Sequence, residues 1–131
     1  MSRRELREQI FRMLFRTEFF DREEIKEQLL LFLEEMEKGE QKDFTYIREK
    51  ITNIINHLEE IDQQINEASK GWKTSRMGKV DLTLIRLAVF EMKFEEDIPV
   101  GVAINEAVEL AKQYGTDDSS SFVNGILAKL A

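Results

Sequence analysis

Seven apolar side chains, Phe44, Ile47, Ile51, Ile54, Leu58, Ile61 and Ile65, recur at alternating intervals of three and four residues. Through three heptads that spacing lays one apolar stripe along an α-helix, the seam of a bundle helix packed against two neighbours. A strand cannot use it, because strand side chains change face at every residue. At about 1.5 Å per residue, a helix of about 25 residues would run close to 37 Å.

No stretch alternates with period two, and one Pro and six Gly leave few interruptions. From Leu6, the set Ile10, Met13, Leu14 and Phe20 predicts a first helix to about Phe20. Asp21 followed by Glu24 reads as a capping box opening a second helix, with the stripe Ile25, Leu29, Phe32 and Met36 and an end near Lys38-Gly39. Lys70-Gly71 breaks the pattern, and Trp72 opens a second half. A short turn around Ser75–Gly78 then precedes a helix over Val80–Phe94 that is apolar almost all round, the mark of a central helix covered by several others. Pro99 suits the start of the next helix, Val100–Tyr114, and Gly115 stops it. Asp117 or Asp118 caps the last, whose stripe is Phe122, Val123, Ile126, Leu127 and Leu130.

These elements predict an all-α fold of about seven helices, counting the short turn. The 131 residues suit a single domain, with a three-helix sub-bundle over 1–70 and a four-helix sub-bundle over 71–131.

Composition excludes several chemistries. The chain has no Cys, which removes disulfides, thiolate metal sites and cysteine nucleophiles together. Its one His, His57, leaves no room for a His-based zinc site or a Ser-His-Asp triad, and reads as a helix-surface residue. No Walker A, GxGxxG, HExxH or EF-hand spacing occurs. No catalytic residue, cofactor or metal is therefore expected. The charged start lacks the apolar run of a signal peptide, and the longest apolar run, Leu29 to Leu33, is too short to span a membrane. A cytoplasmic location follows as the expectation.

Charge is unevenly distributed. Residues 1–16 carry five arginines against two glutamates, a net +3, while the remainder carries −10. Such asymmetry is a cue for a localised polyanion contact. Arg3 and Arg7 stand at i and i+4, where like charges repel, and Arg3 and Arg4 lie at the positive end of a helix dipole. On a helical wheel Arg3 and Arg7 share a side with Ile10 and Leu14. The first turn is thus expected to overhang the bundle, since burying unpaired guanidinium groups is costly. A frayed, solvated terminus and an anion-binding tip both fit these facts.

Two more places stand out. The hydroxyl-rich run Thr116–Ser121 could offer free N–H groups to a phosphate, although plain capping by Asp117 or Asp118 is the simpler explanation. Phe122 heads the last core stripe by spacing, and could alternatively stack on a nucleobase. Arg86, inside an apolar helix, needs a carboxylate, for which Glu91, Glu106 and Glu109 are candidates.

The run VAINEAVELAKQYGTDDSSSFVNGILAKL, which begins at Val102, closely resembles the C-terminal signature of the NusB family of bacterial transcription antitermination factors. VDLTLIRLAVFEM at 80–92 and the arginine-rich first helix resemble that family too, so the likeness covers the whole chain. It implies two perpendicular helical bundles and a function without catalysis. Members pair with NusE, a small-subunit ribosomal protein. The pair holds the boxA element of nascent ribosomal RNA to the elongating polymerase complex with other Nus factors.

Carried over by position, Arg3, Arg4 and Arg7 match the arginine-rich RNA-binding motif, here interrupted by Glu5 and Leu6. Phe122 matches the position facing boxA, with Asp118 beside it, and Phe15 and Asp81 match the surface that receives NusE. A homodimer is a further arrangement known among such proteins. Two other functions compete with this reading: a protein-interaction bundle with no RNA role, and a detached NusB-like domain of an RNA cytosine methyltransferase. In such enzymes the helical domain precedes a Rossmann-type catalytic domain, of which this sequence has no trace, so only a severed domain would fit the second.

Overall fold

The computed structural model describes residues 1–131 and consists of helices joined by short loops. It divides into two compact units, Met1–Ile55 and Asn56–Ala131.

The first unit contains α1 (Arg3–Thr17), α2 (Arg22–Glu35) and α3, which begins at Gln41 and ends at Asn56. Helix α1 opens at Arg3 on a capping box formed by Ser2 and Glu5. The Ser2 hydroxyl accepts from the Glu5 N–H at 3.1 Å, and the Glu5 carboxylate accepts from the Ser2 N–H at 2.9 Å. The same reciprocal bond, Asp21 N–H to Glu24 Oε1 at 3.1 Å, opens α2. Ile10, Met13 and Leu14 of α1, Leu29 and Phe32 of α2, and Ile47, Ile51 and Ile54 of α3 are buried, as their spacing requires. Gly39, at φ +128°, makes the turn between α2 and α3 that a side chain would strain.

The second unit contains α4 (Leu58–Ser69), a single 3-10 turn (Thr74–Arg76), α5 (Lys79–Phe94), α6 (Val100–Tyr114) and α7 (Ser119–Leu130). The one long helix expected through Ile65 is interrupted at His57, whose backbone (φ −108°, ψ 9°) leaves the helical region. The His57 ring lies 4.4 Å from that of Phe94 and 6.1 Å from that of Phe90, so it is packed against α5 rather than idle on a surface. The stripe survives the break, because Ile61 and Ile65 are both fully buried. Lys70-Gly71, the boundary expected from sequence, lies inside the second unit, at the end of α4.

Helix α5 is the centre of this unit. Leu82, Leu84, Ile85, Leu87, Ala88, Val89 and Phe90 are all buried, and α6, α7 and α4 pack on it. No helix is long and apolar enough to cross a membrane.

Candidate functional site

The first turn of α1 presents Arg3 and Arg4 on the surface. Arg7 departs from the expected overhang: it is buried and holds an interaction within the protein. Its place on the Ile10–Leu14 stripe explains this, since an arginine stem packs like an apolar chain while its head keeps a polar contact. Arg4 also has a contact within the chain, but stays exposed. The tip therefore offers two surface guanidinium groups rather than three. The capping box beneath them keeps the Glu5 carboxyl below its ordinary range, chiefly through the hydrogen bonds with the Ser2 backbone and hydroxyl.

Farther along α1, Phe11, Phe15 and Phe19 form a ladder of rings, 6.2 Å and then 5.3 Å between centroids. Phe11 is buried, Phe15 half-buried and Phe19 exposed, so aromatic surface emerges towards the C-terminal end of the helix. Beside it, Arg16 lies over the Phe32 ring at 5.3 Å and reaches Glu35 at 3.4 Å.

In the second unit, Asp81 is half-buried in the first turn of α5, where a carboxylate faces the positive end of the helix dipole. Asp118 occupies the N-cap position of α7, yet its side chain makes no capping hydrogen bond and is exposed. The buried Ser119 hydroxyl instead accepts from the Thr116 N–H at 2.9 Å, closing the turn before α7. This corrects the expectation of capping by Asp117 or Asp118, and leaves the Asp118 carboxylate facing solvent.

Phe122 is half-buried and not a core residue, although Val123, Ile126 and Leu127 of its stripe are. Its ring meets Trp72 edge to face, with centroids 5.6 Å apart and planes at 73°. Arg86 is held by Asp62 of α4, a partner not among the three glutamates foreseen. No group of His, Asp and Glu in the structure is arranged to hold a metal ion.

Residues 4–131 match the sequence profile of the NusB family. The chain belongs to the NusB family. It is 56% identical to the transcription antitermination protein NusB of Agathobacter rectalis, over all of both chains. Among solved structures, T. maritima NusB superposes with a TM-score of 0.89 at 38% identity, covering 100% of this chain and 91% of that one. A crystal structure of the antitermination factors NusB and NusE in complex with dsRNA superposes at 0.83 with 28% identity, covering 96% and 92%. The relatives that this chain matches are transcription antitermination proteins and not enzymes.

Two features of these sites lay outside the sequence reading. The Ser2-x-x-Glu5 spacing is a capping-box signal and places the start of α1 correctly. The absence of any carboxylate between Ala68 and Val80 is equally visible in the chain, and it surrounds the Trp72 that Phe122 contacts.

Proposed function

We propose that this protein is a non-enzymatic, RNA-binding transcription antitermination factor of the cytoplasm. It pairs with NusE, the small-subunit ribosomal protein, on boxA RNA of nascent ribosomal transcripts, within the elongating polymerase complex with other Nus factors. The observation that carries this reading is the full-length likeness to NusB proteins, one of them seen with NusE and RNA.

The chemistry of the individual residues supports it. Exposed Arg3 and Arg4 supply phosphate contacts, which bind without selecting sequence. Phe122, half-buried with Trp72 against it, supplies ring area for a base, and Asp118 beside it supplies hydrogen-bond acceptors. Arg7, buried and partnered within the protein, stands behind Arg3 and Arg4 rather than on the surface. Phe15 and Asp81 receive NusE, the first through the aromatic surface of α1 and the second as a carboxylate acceptor.

Co-purification with the cognate NusE, with and without boxA RNA, is the test. Capture of NusE that strengthens with RNA is the expected result. Asp81→Lys should weaken that capture while circular dichroism shows unchanged helicity. Capture of NusE by a protein that binds no RNA, alone or in the pair, would instead establish a protein-interaction bundle.

A further inference from the structure

The segment between Ala68 and Val80 is chemically unlike the rest of the chain. It holds Lys70, Lys73, Arg76 and Lys79 and no carboxylate, within a protein whose net charge is −7. In its midst stands Trp72, the sole tryptophan, with 54% of its surface exposed. An indole is normally among the largest contributors of buried apolar area, so one left half in solvent implies a surface awaiting a partner.

The loop that carries Trp72 is pinned. Lys70 (φ 34°) and Gly71 (φ 74°) reverse the chain, and the Trp72 N–H donates to the Lys70 carbonyl at 2.7 Å. The buried Ser69 hydroxyl donates to the Trp72 carbonyl, and Asn66 Oδ1 accepts from the Thr74 N–H at 2.8 Å. The ring is further positioned against Phe122 of α7, edge to face. An edge-to-face pair leaves ring faces uncovered, and the backbone bonds mean that little ordering remains to be done on binding.

We propose that Trp72, braced by Phe122, is a stacking platform for an unpaired RNA base, and that Lys70, Lys73 and Arg76 hold the phosphates on either side of it. The assignment rests on the RNA-binding reading above and names a base contact within it. Exposed aromatic faces interleaved with cations are what single-strand binders use, since every base has a π-face and the backbone is anionic. A docked protein fits less well, because interface cores are depleted in lysine and this aromatic pair has Lys70, Lys73 and Arg76 around it in sequence. A duplex fits less well too, because paired bases keep their faces stacked on one another.

As the only tryptophan, Trp72 reports on its own surroundings. The full chain, with NusE, is titrated with a single-stranded boxA oligonucleotide, following indole emission and, separately, anisotropy of a labelled copy. Quenching in step with anisotropy is expected, and an oligonucleotide carrying abasic sites should bind more weakly without quenching. Trp72→Ala should weaken binding about tenfold, whereas Trp72→Phe should keep most of it, both with unchanged helicity. RNA binding with unmoved indole emission and an unaffected Trp72→Ala variant would discard the platform and leave the RNA-binding reading standing. No anisotropy change for the unsubstituted protein would overturn that reading and the platform together. Emission that responds to NusE without RNA, with no further change when RNA binds, would make Trp72 a protein contact instead.

Discussion

Arg86 of α5 and Asp62 of α4 form a two-pronged pair, Nε to Oδ1 at 2.8 Å and Nη2 to Oδ2 at 2.7 Å. The fork geometry matches a planar guanidinium to a carboxylate, and both side chains are largely withdrawn from solvent, at 17% and 25% exposure. Removing Asp62 takes this forked contact from a guanidinium group that is largely shielded from water. Asp62→Ala should therefore lower unfolding free energy by about 2 kcal/mol, below the range for fully buried pairs because some exposure remains. Urea melts of Asp62→Ala, Arg86→Met and the double variant form a cycle. A coupling of about 1–2 kcal/mol is expected, and strictly additive losses would refute the pairing as a source of stability.

Asp43 makes stability depend on pH. Its carboxylate accepts from the Glu40 N–H at 2.9 Å and lies 3.1 Å from the Met1 amino group. The Glu40 hydrogen bond chiefly, and then the amine, hold its carboxyl below the ordinary 3.8. A carboxyl depressed in the folded state contributes stability above its unfolded value. That contribution fades as pH falls through the folded one, where protonation finally reaches the native protein. Asp43→Asn should flatten the acid limb of the urea midpoint below about pH 4 and leave the shape of the profile near neutrality unchanged. An acid limb as steep as that of the unsubstituted protein would sink this assignment.

On the proposed reading, Arg3 and Arg4 set the electrostatic part of RNA binding at the tip of α1. For single-stranded RNA each neutralised phosphate adds about −0.7 to the slope of log affinity against log salt, so two guanidinium groups account for about −1.4. The pair Arg3→Gln and Arg4→Gln should reduce the slope measured by anisotropy by that amount. Arg7→Gln should leave the slope in place and lower the melting temperature, because Arg7 is buried and partnered. A slope that falls with Arg7→Gln and not with the other two would reverse their roles.

Periodicity made most of this fold legible. The stripes of α1, α3 and α4 and the all-round apolarity of α5 depend on spacing alone, and most of those side chains are buried, with Phe20, Phe44 and Leu58 half-buried and Phe94 exposed. What escaped depends on contacts distant in sequence. The break at His57 leaves the apolar register intact, so no local pattern betrays it, and its packing on Phe90 and Phe94 is a tertiary matter. Asp62 lies 24 residues before Arg86, on another helix, and nothing in either neighbourhood pairs them. The wheel placed Arg7 on the core side correctly. Treating its charge as a bar to burial missed the length of its stem. At the candidate site, the arginines were visible as a charge cluster, whereas the setting of Trp72 emerges only when α7 brings Phe122 to it.

Gly115 bears on the same region through α7. Its backbone is extended (φ −95°, ψ −165°), so any residue could adopt the conformation, and the requirement for glycine is one of space. A Cβ there would collide with the Ser119 side chain and approach the Ala111 carbonyl at 2.8 Å. Ser119 is buried and its hydroxyl accepts from the Thr116 N–H, so it has little room to yield without opening the turn that starts α7. Gly115→Ala should accordingly cost about 1–3 kcal/mol by overpacking. Because Phe122 sits in the first turns of α7, the displacement should also reach the indole of Trp72, 5.6 Å away, and shift its emission in the free protein. Gly115→Ala combined with Ser119→Gly should recover part of the lost stability by removing both the obstructing hydroxyl and the Cβ that carries it, though not all of it, since the Ala111 carbonyl still crowds the new methyl and the Thr116 N–H then lacks its acceptor. Full stability in the single variant, with unchanged indole emission, would show that the turn is more pliant than its packing indicates.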